Sequence, residues 1–324
     1  MRCQQTSDVG DPELSQAALT VTKATPFKET AADGYALGGF TWRHSSPDPQ
    51  RPVVIINPAT SVRCRHYSRF AAYLFSHGCD VMTYDYRGIG ESRSESIKGL
   101  RASWTDWGAL DFEAMLKRAH REFPGQPIDV VGHSFGGCAA GLAASGTVIR
   151  RLVTVGAQFA YWRDYAPEQR WRMFGKWHVL MPLMALLCGY FPGKRLGWLE
   201  DTPTGVVRDW STPTARYEQR PSGRALMKKS GALPFANVRA QILAISLGDD
   251  PYGTIPAIER LLAYFSNATK THLRIEPQDI GEQQVGHFGF FRSAYQATLW
   301  PIALTWLQTG ALALDTPGRP VPRS

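Results

Sequence analysis

The chain reads as an α/β protein: a mostly parallel central sheet flanked by helices, with a helical lid insertion. Three observations predict this. Short, continuous apolar runs of the fully buried strand type recur from Val53 onward. Segments with helical periodicity separate them, and strands alternating with helices predict βαβ units around a parallel sheet. The rhythm stops near Gln158 and resumes at "QILAISLG", so one sheet domain is interrupted by a mostly helical insert. A length of 324 residues suits one large domain with an insertion and is ample for a buried core.

The elements follow in order. Residues 1–17 read as a loose, polar tail. Two candidate strands come next, "LTVTKATPF" and "YALGGFTW", and the polar, proline-rich "RHSSPDPQRP" punctuates them as a hairpin-type loop would. Val53–Ile56, "VVII", is a buried strand. Arg65–His77 then reads as a helix, "CDVMTYD" as a strand, "DWGALDFEAMLKRAHREF" as a helix and "PIDVVG" as a strand. "FGGCAAGLAAS" follows as a helix and "IRRLVTVGA" as a strand. Residues 159–235 hold five of the ten tryptophans, several prolines and no strand pattern, and form a helical cap or lid. The rhythm returns with "QILAISLG", a helix over Ile255–Phe265, the strand "THLRIEP" and a last helix within "AYQATLWPIALTWL". Residues 18–158 and 236–310 are thus the core, and 311–324 a C-terminal tail.

Composition narrows the classes of function. Hydrophobic residues make up 44% and charged residues 20%, as in an ordinary globular protein. Five cysteines, an odd number without C-x-x-C spacing, argue against a disulfide framework and a zinc site. The polar N-terminus has no apolar signal region, which points to a cytoplasmic protein. The longest apolar run, Trp177–Phe191, is shorter than the roughly 18 residues of a membrane span and reads as a buried or lid helix. Residues 160–230 carry twelve Lys/Arg against six Asp/Glu, most of the net charge of +8. A lid of this kind can attract an anionic or hydrophobic acyl substrate, or a membrane surface. The plainer reading is a solvated outer face over core packing. Basic residues interleaved with acids and lacking a reading motif argue against nucleic acid.

The chemistry centres on Gly132-His133-Ser134-Phe135-Gly136, a G-x-S-x-G between a predicted buried strand and a small-residue helix. A strand-to-helix turn of that sharpness strains the serine and leaves no room for side chains two residues to either side. Ser134 Oγ then projects at a helix N-terminus, where a developing anion is favoured. A serine hydroxyl needs a base, and the chain order expected is serine, acid, histidine. His287, in "QVGHFGFF" between the last strand and the last helix, can reach back over the sheet edge. His272 occupies an alternating position in a strand and reads as a surface or edge residue. The acid should end "QILAISLG": Asp250 is favoured and Asp249 is its rival, the unused one capping the next helix. An oxyanion hole takes the N–H of Phe135 and one from "NPATS", where Ala59 is the choice because Pro58 has none. No metal or organic cofactor is implied.

The segments "INPATSV", "VMTYDYRGIGESR", "VGHSFGG", "HVLMPLMALLCGYFPGKRLG", "LGDDPYG" and "VGHFGFFR" together resemble the α/β-hydrolase superfamily in its serine-hydrolase branch. They are most similar to a bacterial group known mainly as predicted α/β hydrolases. The likeness spans about residues 50–310. It implies a triad of Ser134, Asp250 and His287, with Phe135 and Ala59 as oxyanion donors. Related sequences carry glycine where this chain has Pro58; if the loop requires positive φ there, Thr60 becomes the donor. The implied reaction is cleavage of a carboxylic ester or thioester through an acyl-enzyme. An acyltransferase, or a non-catalytic binding protein on the same fold, are the alternatives.

Overall fold

An antiparallel hairpin opens the sheet: β1 (Thr25–Thr30) and β2 (Ala36–Trp42) pair from Thr25↔Thr41 to Thr30↔Ala36. The computed structural model describes residues 24–94 and 96–322. The predicted tail at residues 1–17, Cys3 and the first part of "LTVTKATPF" lie outside the described residues. The hairpin closes at residues 31–35, where Gly34 takes φ +86 and Asp33 Oδ1 accepts the Tyr35 N–H. "RHSSPDPQRP" is therefore not the hairpin loop. It carries the chain from β2 to the sheet centre, a correction that follows from the short left-handed turn at Gly34.

The remaining strands are β3 (Val53–Asn57), β4 (Asp80–Tyr84), β5 (Ile128–His133), β6 (Ile149–Val155), β7 (Gln241–Leu247), β8 (Thr269–Ile275) and β9 (Arg319–Pro320). The order across the sheet is β1-β2-β4-β3-β5-β6-β7-β8-β9. The six strands from β4 to β8 pair in parallel, as predicted; only the edges are antiparallel. The predicted C-terminal tail contributes β9, which pairs Leu273↔Pro320 and covers the edge of β8.

The helices on the core are α1 (Ser68–Ser76), α2 (Glu113–Glu122) and α3 (Phe135–Ala140). The insert adds α4 (Arg170–Phe174), α5 (Met181–Cys188), α6 (Thr204–Ser211) and α7 (Pro221–Ser230). The core then resumes with α8 (Ile255–Leu262) and α9 (Trp300–Thr309). Strand alternation splits the apolar residues of β3 between two cores. Val53 and Ile55 face Met115, Cys138 and Ile258, from α2, α3 and α8. Val54 and Ile56 face Phe70 of α1 and Trp300 of α9. Helix α3 is shorter than its small-residue run predicts. The ring of Phe235 presses on Gly141, and Ser145 turns aside to bond Glu113 through its N–H (2.9 Å) and its hydroxyl (2.6 Å). His272 is buried on β8, within 2.9 Å of Ser246 Oγ and 2.5 Å of Glu259, which corrects the surface reading.

Between β6 and β7 the insert is helical, with one isolated bridge, Phe191↔Thr202. Gly189 at φ +80 ends α5 and Gly231 at φ +75 ends α7, the left-handed stops glycine provides. The outer face of α5 leaves Leu186 78% and Leu187 77% exposed. Among the described residues no helix is long and apolar enough to cross a membrane.

Candidate active site

Strands β3, β5 and β6 end in step, pairing Asn57↔Gly132 and His133↔Val155, and the chain must turn from β5 into α3 over Ser134. Ser134 takes φ 53 and ψ −120, and its N–H donates to Val155 O at 2.9 Å. A Cβ at Gly132 would lie 2.5 Å from the Gly137 nitrogen, and one at Gly136 2.2 Å from Asn57 O. Both glycines of the pentapeptide are therefore required by space. Ser134 is 7% exposed and lines a cavity at the carboxyl ends of the parallel strands, where α/β sheets bind ligands.

His287 lines the same cavity, and its Nδ1 lies 2.7 Å from Asp250 Oδ2. Gly156, at φ +57 after β6, makes room for this pair: a Cβ there would sit 2.7 Å from Asp250 Oδ2 and 3.1 Å from the imidazole. Asp250 Oδ1 accepts the Tyr252 N–H at 2.8 Å, and the Tyr252 ring packs on His287 with centroids 4.8 Å apart. Asp249 has a different job from the helix cap expected of it. Its carboxylate accepts the N–H groups of Val285 (2.8 Å) and Gly286 (2.9 Å), fixing the loop that carries His287. Thr254 caps α8 instead.

Ser134 Oγ accepts a hydrogen bond from Gln158 Nε2 at 3.4 Å, and among the described residues no bond joins it to His287. Gln158 is itself held through its Oε1 by the Ala160 N–H. Ala59 and Thr60 both line the cavity, with Phe135. The Ala59 N–H donates to Tyr67 Oη at 2.9 Å, whereas the Thr60 N–H has no partner among the described residues. Positive φ in this loop falls on Ser61, at 56°, and not on Pro58.

A buried chain of hydrogen bonds links these pieces. His133 Nε2 is 2.9 Å from His287 O, so it must donate. Nδ1 is then the acceptor, and Tyr67 Oη donates to it at 2.8 Å while accepting from Ala59. Burial and the nearby His287 imidazole hold the His133 pKa well below its ordinary value, which keeps the ring neutral, and the bond to the His287 carbonyl fixes the tautomer. The sequence does not single out Gln158, Tyr67 and His133, and it offers Asp249 only as the rival acid or a helix cap, not as the anchor of the 285–286 loop. The available signal was position: Gln158 follows β6 at the rim, and His133 and Asp249 adjoin the favoured residues.

Residues of the insert, among them Trp177, Trp198 and Trp210, line the cavity, and the insert is tied to both of its rims. Trp177 Nε1 donates to Tyr252 Oη at 2.9 Å, and the Ala166 N–H to Pro251 O at 3.0 Å. On the other side Ser61 Oγ meets Thr202 Oγ1 at 2.7 Å, and the Glu200 N–H donates to Ser61 O at 3.0 Å. Among the described residues no group of three His, Cys, Asp or Glu could hold a metal ion.

A family model described as serine aminopeptidase, S33, matches residues 48–220. No curated protein matches the chain. Among solved structures, the chain is similar to a soluble variant of monoglyceride lipase from Saccharomyces cerevisiae in complex with a substrate analogue. The TM-score is 0.63 at 15% identity, covering 91% of this chain and 97% of that one. It is also similar to an esterase of Pyrococcus furiosus, with a TM-score of 0.55 at 14% identity over 94% of this chain and 96% of that one. A cold-adapted esterase from an Arctic intertidal metagenomic library gives 0.52 at 14% identity, over 91% and 96%. At such identities these are likenesses of fold.

Proposed function

Because the chain belongs to the serine aminopeptidase S33 family of α/β hydrolases, we propose that it cleaves a carboxylic ester or thioester with Ser134, His287 and Asp250. The observation that carries the reading is the 2.7 Å His287–Asp250 pair beside the cavity that Ser134 faces. Ser134 Oγ attacks the acyl carbonyl and His287 Nε2 takes its proton, while Asp250 holds Nδ1–H and stabilises the imidazolium. The imidazolium returns that proton to the departing alkoxide or thiolate. Water, deprotonated by His287, then attacks the acyl-enzyme and releases the acid and Ser134. The Ser134–His287 hydrogen bond forms with substrate, as such bonds tighten in the reactive complex.

The oxyanion donors in this reading are the N–H groups of Phe135 and Thr60, because Tyr67 engages that of Ala59. Asp249 acts as a positioning residue through residues 285 and 286. The insert acts as a lid, excluding water over an aromatic acyl site. Ester or thioester is favoured over an aminopeptide by charge. An aminopeptidase must bind an α-ammonium, and the described cavity lining has no Asp or Glu but does have Lys176.

The test is labelling by a fluorophosphonate probe with a p-nitrophenyl ester assay. The wild-type protein should react with both, and Ser134→Ala should lose the label and lose turnover by about 10³-fold or more. A labelled Ser134→Ala protein would end the assignment. Comparing products with and without an alcohol or thiol acceptor separates hydrolysis from acyl transfer.

A further inference from the structure

The cavity over Ser134 contains a charge that the chemistry above does not use. An aromatic stack leads to it from the serine turn. Phe135 packs on Trp104 with ring centroids 4.8 Å apart, Trp104 on Trp210 at 6.1 Å, and Trp210 on Trp177 at 4.7 Å. Trp198 meets the edge of Trp177 at 5.8 Å. Lys176 closes the stack, its Nζ 3.8 Å from the Trp198 centroid and 4.3 Å from that of Trp177. All six side chains line the cavity.

Lys176 is half-buried, and among the described residues no carboxylate lies within 4.0 Å of Nζ. Burial, and after it the Arg172 cation, depress its pKa. Two indole faces offset only part of the hydration such an ammonium gives up. The residue sits in a π-helical turn, Gly175–Leu180, a distortion frequent at functional sites because it re-aims a side chain. An aromatic channel with a serine at one end and an unpaired cation at the other suits a ligand that is apolar along its length and anionic at its tip.

We propose that Lys176 recognises an anionic group on the substrate. The preferred class would be acyl esters or thioesters whose apolar acyl part ends in a carboxylate or phosphate. The proposal rests on the assignment of Ser134 as nucleophile, and it predicts selectivity rather than rate. Rotation of the Lys176 ammonium toward the cavity forms a charge-assisted contact that a neutral substrate of equal length cannot make.

The experiment compares p-nitrophenyl hydrogen suberate with its methyl-capped diester. Wild-type kcat/KM should favour the acid by about tenfold, the size of one charge-assisted hydrogen bond. The ratio should collapse in Lys176→Met, persist in Lys176→Arg, and invert in Lys176→Glu toward p-nitrophenyl 8-aminooctanoate. Equal wild-type rates for acid and capped ester, or an unchanged ratio in Lys176→Met, overturn the proposal. A second readout needs no turnover: tryptophan fluorescence of Ser134→Ala titrated with suberate and with octyl phosphate. Saturation that disappears when Lys176→Met is added supports the site, and whichever ligand binds tells carboxylate from phosphate. An identical response with and without Lys176 overturns it. Failure of the hydrolase reading would show separately, as an unlabelled wild-type Ser134.

Discussion

The sheet rim and the insert above it are held in place by different means. At the rim, backbone pairing does the positioning: β3, β5 and β6 end together, Ser134 directly follows β5, and Asp250 lies in the short turn after β7, both strands being paired on both sides. In the insert no strand supports any of the cavity-lining residues. Trp177, Trp198 and Trp210 are held by ring stacking and by side-chain bonds such as Trp177 to Tyr252. A register shift moves a whole strand at once, whereas a stacking contact can be altered one side chain at a time. The rim should therefore govern whether chemistry occurs, and the insert which molecules reach it.

The largest expected effect is at the rim. Asp250→Asn should lower kcat by about 10⁴-fold with the fold intact, because the imidazole loses the carboxylate that orients it. Asp249→Asn keeps one acceptor oxygen for the 285–286 loop and should lower kcat only about tenfold, the effect of a positioning group. Steady-state kinetics on the two neighbours would sharpen the distinction. Equal losses would erase it.

A smaller effect belongs to His178 inside the insert. Its Nδ1 donates to Ser211 O at 2.9 Å and its Nε2 accepts from Tyr165 Oη at 3.3 Å, so the bonded ring is neutral. Burial brings its pKa down to about 4. The unfolded histidine titrates near 6.5, so between about pH 6.5 and 4 the unfolded chain holds a proton that the folded one refuses, and stability falls as pH falls. From pH 7 to 4.5 the wild-type protein should lose about 2 kcal/mol more than His178→Gln, measured by urea denaturation. Parallel losses in the two proteins would contradict the buried, neutral ring.

The smallest effect is on the outer face of α5. Leu187→Ser should change stability by less than about 0.5 kcal/mol, since that side chain already meets solvent. A loss above 2 kcal/mol would mean that α5 packs against something.

The parts of the molecule legible in the sequence are those written in local spacing. Gly132 and Gly136 flank Ser134 at the distance a sharp turn demands, and the βαβ rhythm indicates which loops carry Asp250 and His287. Contacts between distant residues were not legible. Nothing near Ala59 announces that a tyrosine eight residues on, itself bonded to His133, will take its N–H. Asp249 and Asp250 are adjacent, and only the fold of residues 285–287 gives them separate partners. His272 alternates correctly for an exposed position, but Glu259 of α8 covers it. The tryptophans of the insert are conspicuous by number, yet periodicity cannot say that Trp104, outside the insert, joins their stack.

The twist in the main chain at residue 134 carries its own implication. A serine in that region of conformational space is strained by about 1–3 kcal/mol, whereas glycine would be at ease there. The molecule keeps its hydroxyl at some expense to its own durability: replace residue 134 with glycine and a sturdier protein should result, one that melts later and, if the proposed role of Ser134 holds, no longer turns over an ester.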